Sequence, residues 1–364
     1  MNQRPFTVVL IVPTGIGAAI GGCAGDALPV ARAIAQIADT LITHPNVLNG
    51  AQLYWPIPNA LYVEGYALDK FAAGCWGLQP VHQNRIGLIL DAGIEPELQL
   101  RQLQAADAVR ATLGLNVTDC VLTDRPLQVE LRISESGASW GTIARPDSLL
   151  RAAEKLITQA KVEAIAVVAR FPDDQGSLAL ENYRRGKGVD PLAGAEAVIS
   201  HLIVRTFQIP CAHAPALLPL PLDPHLSPRS AAEEIGYTFL PCVLAGLSKA
   251  PQFTTQKADE RSQLPITADR VDAVVIPATA CGGSAILSWS GRSTVQIIAV
   301  RDNTTRMQVP PEKLGIKALQ VNSYLEAIGV LVAMRAGISP ASLGANISPL
   351  RYLSDSTKLG LAPQ

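Results

Sequence analysis

At 364 residues, the chain is longer than a single core of about 100–150 residues requires, so two or three subdomains are expected. Hydrophobic residues make up 48% of the chain and charged residues 17%, a balance that predicts extensive burial and argues against disorder. The formal charge of −1 and the 5% aromatic content predict neither a broad basic face for nucleic acid or anionic membrane nor a base-stacking platform.

The N-terminal residues allow two interpretations. Ile20–Cys23 loosely resembles a lipoprotein cleavage box, but a signal peptide needs an unbroken apolar run, and Pro13, Gly15 and Gly17 interrupt it. We favour a first core strand, Thr7–Val12, that runs into a glycine loop. No uninterrupted run of 18 apolar residues occurs, so the sequence predicts a cytoplasmic protein without a membrane span. The six cysteines form no C-x-x-C pair, and we expect buried free thiols.

Short apolar runs alternate with helix-like stretches, which is typical of a mainly parallel sheet flanked by helices. The predicted buried strands are Thr7–Val12, Ile86–Leu90, Ala164–Ala169, Ala273–Ile276 and Val295–Val300. The predicted helices are Pro29–Ala38, Glu97–Leu113, Pro146–Ala160, one that begins at Pro191, one that begins near Ala231, and Asn322–Ala336. The sequence therefore predicts an α/β fold with two lobes.

Two segments interrupt this alternation. Residues 115–145 alternate polar and apolar around Gln128–Ile133, which suggests an inserted antiparallel segment. Residues 209–228 hold six prolines, a density that excludes regular helix or central strand and predicts an extended crossover between lobes. We therefore divide the chain into an N-terminal lobe (1–114), a middle segment (115–208), the crossover (209–228) and a C-terminal lobe (229–364).

Two apolar strands each run through a proline into small residues and paired glycines. The first loop, 13–22, fails the G-x-G-x-x-G fingerprint at Ile20 and lacks the Gly-Lys-Ser/Thr of a Walker A motif. Glycine-rich backbone can approach a ligand closely and aim N–H groups at an anion, although tight packing is the alternative. The predicted ligand contacts are Thr14, Gly15, Gly17, Gly21 and Gly22 in the first loop and Gly282, Gly283 and Ser284 in the second. Cys281 is interpreted as a buried thiol rather than a nucleophile.

Polar residues that follow buried strands are favoured site candidates, because ligands of open α/β sheets bind beyond the carboxyl ends of the strands. His44 is the predicted proton-handling residue, with Glu64 or Asp302 orienting it; a turn-stabilising role beside Pro45 is the alternative. Further predicted ligand contacts are Asn46, Asn49, Asn303 and Thr304.

Three cations lie on a loop before a predicted helix. Arg184, Arg185 and Lys187 are predicted to hold a phosphate or carboxylate, with a solvated surface loop as the alternative.

Two other chemistries are weighed against this site. Gly137–Gly141 matches G-x-S-x-G, which would make Ser139 a hydrolase nucleophile if a strand preceded it and a helix followed at once. The five histidines are separated and match no metal-binding motif, so no metal site is predicted, although His213 and His225 flank the crossover.

Much of the chain is similar to an uncharacterised family, a domain of unknown function, found in cyanobacteria and plant plastids. The matching stretches are Pro13–Asp26, Thr43–Ala51, Ser136–Pro146, Arg170–Asp174, Ser230–Ala250, Pro277–Ser284 and Ala299–Thr305. The resemblance implies a cytoplasmic or stromal location and supplies no reaction, cofactor or catalytic residue.

The sequence thus favours an enzyme that acts on a small anionic metabolite, phosphorylated or carboxylated, by group transfer or a lyase step. A non-catalytic metabolite sensor, a serine hydrolase that uses Ser139 and a structural protein are the alternatives. The expected partner is a small molecule rather than nucleic acid or membrane, a homo-oligomer would be compatible with the pattern, and the cofactor is unknown.

Overall fold

A computed structural model describes residues 4–173, 177–255 and 264–350. The strands in these ranges are β1 (Thr7–Leu10), β2 (Thr40–Thr43), β3 (Ala60–Tyr62), β4 (Gly77–Gln79), β5 (Ile86–Leu90), β6 (Val117–Leu122), β7 (Val129–Ile133), β8 (Ser139–Ile143), β9 (Ala164–Arg170), β10 (Cys211–Ala216), β11 (Gln252–Thr254), β12 (Val271–Pro277), β13 (Gln296–Val300) and β14 (Ala318–Val321). The helices are α1 (Leu28–Ala35), α2 (Pro45–Leu48), α3 (Ala51–Tyr54), α4 (Gly65–Ala72), α5 (Pro96–Leu113), α6 (Pro146–Lys155), α7 (Leu178–Arg184), α8 (Ala193–Phe207), α9 (Pro228–Glu234), α10 (Leu240–Leu247), α11 (Ser284–Ser290) and α12 (Tyr324–Arg335).

Six parallel strands form the larger sheet, in the order β14-β13-β12-β1-β2-β3. From β1 the chain moves outward through β2 and β3 on one side, and it later returns to the other side through β12, β13 and β14. The strand order therefore reverses between β1 and β12, and this switch point is where open α/β sheets leave a crevice for a ligand.

Four parallel strands form the second sheet, in the order β10-β9-β5-β6, with its own switch point between β5 and β9. The predicted α/β class with mainly parallel strands is confirmed. The two sheets draw strands from across the predicted segments, because β5 pairs with β9 while β12 returns to pair with β1. Parallel pairing requires crossovers, so strands close in space come from distant parts of the chain.

The central strand β1 shows why both faces of the larger sheet are covered. Val8 and Leu10 pack into one apolar cluster and Val9 and Ile11 into another, on opposite faces. Side chains alternate along a strand, so a continuous apolar run fills two cores at once. Full burial of each such side chain contributes roughly 1.5–3 kcal/mol.

Two short antiparallel pairs complete the architecture. β7 and β8 form a hairpin inside residues 115–145, where an antiparallel segment was expected, but β6, in the same segment, pairs parallel with β5. β4 pairs with β11. The proline-rich stretch begins as β10, an edge strand that contains Pro215, because an edge tolerates a residue without an N–H donor.

One helix begins earlier than its sequence pattern predicts. α9 begins at Pro228 rather than near Ala231, because the Ser227 hydroxyl caps it and accepts a hydrogen bond from the backbone N–H of Arg229. Ser230 and Glu233 have the spacing of a capping box for a helix beginning near Ala231, but with Ser227 as the cap the Glu233 carboxylate is not needed there.

Candidate functional site

A cavity of about 340 Å³ lies at the switch point of the six-stranded sheet. Thr14 lines it after β1, His44 after β2 and Glu64 after β3, while Gly283 and Ser284 line it after β12. Residues of α8 and β10, which belong to the four-stranded sheet and its helices, form the facing wall. The two glycine loops, far apart in sequence, thus meet at one cavity.

The cavity is rich in titratable side chains, all of them carboxylates or histidines apart from any that lie outside the described ranges. Within the described ranges, no lysine or arginine lines it. The lining carboxylates are Glu64, Asp69, Asp190, Glu196 and Glu233, and the lining histidines are His44, His201 and His213. Such a wall attracts positive charge and hydrogen-bond donors, and it repels anions.

Helix α8 supplies the polar face opposite the large sheet. Its cavity-lining residues follow the i, i+3, i+4, i+7, i+8 spacing of one helical face: Ala193, Glu196, Ala197, Ser200 and His201. Ile199 and Ile203 lie fully buried on the other side. The predicted helix after Asp190 is confirmed. Polar side chains at helical spacing within its apolar sequence, Glu196, Ser200 and His201, were the signal that could have identified its cavity-facing side.

His201 and Glu64 form one acid–base pair. The Nδ1 atom of His201 contacts Glu64 Oε1, while Glu64 Oε2 accepts hydrogen bonds from the backbone N–H groups of Tyr66 at 2.8 Å and Ala67 at 3.3 Å. These bonds cap α4 and fix the carboxylate in place. Burial opposes protonation of His201, but the hydrogen bond and charge of Glu64 outweigh it and raise the pKa of the imidazole.

His213 and Glu196 form a second pair, looser than the first. Nε2 of His213 lies 3.7 Å from Glu196 Oε2, and its Nδ1 lies 3.1 Å from Ser200 Oγ. The Ser200 hydroxyl, the His213 imidazole and the Glu196 carboxylate thus lie in a row in space, with the imidazole in the middle. Ser200 lies inside α8, whose backbone N–H groups bond along the helix, so this helix does not supply an oxyanion hole beside the hydroxyl.

Two further carboxyls hold protons unusually tightly. Burial, with the charge of nearby Glu196 added, raises the pKa of Glu233 to about 7. Burial and the charges of Glu233 and Glu196 raise the pKa of Asp190 well above its ordinary value. Glu233 accepts hydrogen bonds from the Tyr183 hydroxyl and, at 3.2 Å, from the Ala24 backbone N–H. Like charges in a confined space favour shared protons, so this cluster can donate as well as accept.

His44 has different hydrogen-bond partners from the other two lining histidines. The backbone N–H of Val12 donates to its Nε2 at 3.0 Å, and burial lowers the pKa of the imidazole to about 4. The ring is therefore neutral at physiological pH with its lone pair occupied. The geometry thus argues against the predicted proton-handling role, although His44 does line the cavity as expected.

Other predicted site residues divide between the cavity and the surrounding scaffold. Those that line the cavity with His44 are Thr14, Asn46, Asn49, Glu64, Gly283 and Ser284. Those outside its lining are Gly15, Gly17, Gly21, Gly22, Gly282, Asp302, Asn303, Thr304, Arg184, Arg185 and Lys187. Asp302 and Thr304 are exposed, so Asp302 orients neither His44 nor another lining side chain.

The glycines of the first loop serve its conformation. Gly15, Gly17 and Gly21 have φ values of +71°, +61° and +91°, a region that favours glycine. Asn303 is fully buried and fastens this loop, accepting from the Ile20 N–H at 2.9 Å and donating to the Ile20 carbonyl at 2.8 Å. These predicted contacts are therefore engaged within the chain.

Two of the three predicted anion-holding cations are engaged elsewhere. Arg184 Nη2 donates to Glu234 Oε1 at 2.5 Å and to the Pro221 carbonyl at 2.7 Å. Arg185 Nε lies 3.6 Å from Asp223 Oδ2. The two arginines pair with carboxylates of the neighbouring segments, and none of the three cations is among the residues that line the cavity.

Ser139 does not occupy a nucleophile elbow. It begins β8 in the antiparallel hairpin, and its hydroxyl accepts a hydrogen bond from the Gly194 N–H at 3.0 Å. Three strand residues and two further residues separate Trp140 from α6, which begins at Pro146, so the strand–turn–helix arrangement is not formed.

The described residues contain neither a clustered metal site nor a helix suited to crossing a membrane. No group of three or more His, Cys, Asp or Glu side chains in the described residues is arranged to hold a metal ion. None of the described helices combines the length and apolar character that crossing a bilayer requires.

Comparison with known proteins identifies the family. A model of the protein family of unknown function DUF3326 matches residues 7–344. The chain belongs to this family. It is also 61% identical, over 358 residues, to an uncharacterized lipoprotein of a Synechococcus strain, covering 98% of this chain and 99% of that relative. The trehalose repressor of Escherichia coli is 13% identical, covers 70% of this chain and 94% of its own, and has a TM-score of 0.14, too low to support an argument.

The family match confirms the predicted resemblance, and the relative corrects the predicted location. A protein so similar in sequence is named a lipoprotein, and the cytoplasmic prediction is therefore wrong. In the fold, Cys23 is 5% exposed, and the chain before it includes β1 in the middle of the six-stranded sheet.

Proposed function

We propose that the cavity is an acid–base active site for a small molecule that carries positive charge or several hydrogen-bond donors. The observation that carries this proposal is the lining itself, five carboxylates and three histidines with no lysine or arginine in the described ranges. A volume of about 340 Å³ suits a small metabolite rather than a polymer. The proposal replaces the anionic substrate expected from the sequence, because the predicted cations lie outside the lining.

The two kinds of titratable group suit opposite roles. Glu64 holds Nδ1 of His201, which leaves Nε2 as the atom that exchanges a proton with a ligand. Glu233 has a pKa of about 7, so it is present at neutral pH both as acid and as base. Environments that shift the pKa values of neighbouring titratable groups in different ways are typical of catalytic acid–base pairs. Abstraction of a proton by one group and its return by another fits isomerisation or elimination.

Binding selectivity tests the charge of the ligand. Thermal unfolding is measured with three probes of matched length at equal concentration: 1,3-diaminopropane, 1,3-propanediol and malonate. We expect the diamine to raise the unfolding temperature and malonate to leave it unchanged. Glu196→Gln should weaken the diamine effect, whereas Glu154→Gln, an exposed control on α6, should not. Stabilisation by malonate alone would overturn the proposal.

Isotope exchange tests the catalysis. The protein is incubated in D₂O with a small-molecule extract of its host, and mass spectra are compared before and after. We expect deuterium in at least one compound, lost in the Glu64→Gln and Glu233→Gln variants and kept in Glu154→Gln. Ligand binding without any isotope incorporation would favour the sensor alternative.

A further inference from the structure

We propose that His44 is a neutral hydrogen-bond donor that offers its Nδ1–H to an acceptor oxygen of the ligand. This inference rests on the proposed function, since it assumes that a ligand enters the cavity. It adds a chemical feature to that ligand, a carbonyl or hydroxyl oxygen beside its positive charge or donor groups.

The backbone just before the first loop fixes which nitrogen of His44 carries the hydrogen. An amide N–H can only donate, and that of Val12 points at Nε2 of His44 at 3.0 Å. Nε2 must then present its lone pair. A neutral imidazole has one N–H, so the hydrogen resides on Nδ1.

The surroundings of the ring keep it neutral. The residue is 8% exposed, and burial holds the pKa of His44 at about 4. No carboxylate forms an ion pair with it in the described ranges, in contrast to His201 and His213. The imidazole therefore lacks the partner that would stabilise a positive charge in a buried place.

The helix that follows does not use the Nδ1 atom. His44 is the N-cap residue of α2, yet its side chain makes no capping hydrogen bond, and the Val47 N–H donates to the His44 carbonyl at 3.1 Å instead. Within the described part of the chain, Nδ1 has no hydrogen-bond partner. A ring that lines the cavity with a spare N–H is suited to polarise an oxygen there.

Asn49 provides a second hydrogen-bond donor on the same side of the cavity as His44. Asn49 Oδ1 accepts from the Tyr62 hydroxyl at 3.1 Å, which leaves its amide N–H groups free of partners in the described residues. The amide of Asn46, by contrast, donates to the Gly21 carbonyl at 2.9 Å. The wall after β2 thus presents donors, while α8 presents Glu196 and its neighbours. A ligand with an oxygen acceptor at one end and an amine at the other satisfies both.

Nitrogen NMR of histidine-labelled protein tests the tautomer without any ligand. We expect one histidine to show a neutral Nδ1–H ring between pH 5 and 9, and to disappear from the spectrum of His44→Asn. A ring of His44 in the Nε2–H form, or one that titrates near its ordinary pKa of about 6.5, would overturn the inference.

Glycinamide and ethylamine test the donor itself, since both carry an ammonium group and only glycinamide carries a carbonyl. We expect wild-type protein to bind glycinamide more tightly, by about 3- to 10-fold, the usual value of one hydrogen bond. His44→Phe should remove this preference without weakening ethylamine. His44→Asn, which keeps an N–H donor close to the Nδ1 position, should retain it.

The two proposals fail in different ways. If neither amine binds wild-type protein, the proposed cationic ligand is wrong, and NMR still decides the tautomer. If both amines bind equally well to wild-type protein, the site survives and the donor role of His44 does not. Circular dichroism of each variant shows that a loss of preference is not a loss of fold.

Discussion

Two switch points in this molecule meet the same topological condition and differ in how their polar groups are satisfied. In the four-stranded sheet, Asp91 follows β5 and accepts backbone hydrogen bonds from Gly93, Leu127 and Arg170 at 2.9, 2.9 and 3.1 Å. The guanidinium of Arg170 bonds to carboxylates on both sides. In the six-stranded sheet, the corresponding cavity is lined by carboxylates and histidines, with no lysine or arginine in the described ranges.

The pKa directions express the same difference. Hydrogen bonds from Arg170 lower the pKa of Glu95 and of Asp173. Burial instead raises the pKa of Asp190 and of Glu233. Groups that satisfy one another stabilise a fold, whereas groups left with perturbed protonation are suited to act on something else. The strand order predicts a crevice at each of the two switch points. The hydrogen-bond and ion-pair partners of the polar side chains there indicate which crevice is a candidate for chemistry.

The largest effect is expected from a matched pair of substitutions. Asp91→Asn should lower the free energy of unfolding by about 3 kcal/mol, because one amide N–H then faces a backbone donor and two charge-assisted bonds weaken. Asp190→Asn should stay within about 1 kcal/mol of wild type, because the amide oxygen can still accept from Leu192 and the amide is uncharged, like the protonated carboxyl that the raised pKa of Asp190 favours. Urea unfolding measures both. Equal losses would contradict the distinction between the two switch points.

Glu233 should make stability depend on pH. Its folded pKa of about 7 lies above its unfolded value of about 4.5, so the folded state binds the proton more tightly. Its contribution is therefore fully present below pH 4.5 and is lost as the pH rises through 7. We expect Glu233→Gln to flatten the fall in stability between about pH 5 and 8, by about 1 kcal/mol per pH unit at most. An unchanged slope would show that Glu233 is ionised throughout.

Glu64 should control the charge of His201 with little effect on stability. Glu64→Gln keeps an oxygen for the α4 cap and removes the negative charge, so the pKa of His201 should fall. Because the His201 side chain is 42% exposed, the loss in unfolding free energy should stay below about 1 kcal/mol. Proton NMR titration of the imidazole reads the shift, and Glu154→Gln serves as the control that should leave it in place.

Sequence patterns were sufficient for one wall of the candidate site. The apolar runs of β1, β2 and β12 mark parallel strands, and residues just after them, such as Thr14, His44 and Gly283, had to reach the same edge of the sheet. Several short strands escaped prediction, among them β3, β10 and β14, with three, six and four residues. Short runs of this kind, one of them rich in proline, carry little periodic signal.

The other wall depended on packing between distant segments. Glu196 and His201 line the cavity because α8 lies across the end of the large sheet. No local sequence pattern specifies this placement of the helix. Glu233 has capping-box spacing from Ser230, but Ser227 caps this helix instead. The Glu233 carboxylate therefore accepts a hydrogen bond from Tyr183, which lies 50 residues earlier in the chain. Arg184 resembled an anion site because its partner, Glu234, is equally remote.

The smallest effect is expected at the loop that the sequence marked as anion-binding. Lys187 is exposed and lies outside the cavity lining, so Lys187→Ala should change the free energy of unfolding by less than about 0.5 kcal/mol. It should also leave the stabilisation by 1,3-diaminopropane intact, whereas Glu196→Gln should not. Thermal unfolding of both variants, with diamine and with malonate, separates the loop from the cavity. If malonate raised the unfolding temperature of wild-type protein but not of Lys187→Ala, the ligand site would lie at this cationic loop. The cavity of the six-stranded sheet would then no longer be set apart from the rest of the molecule as the candidate for chemistry.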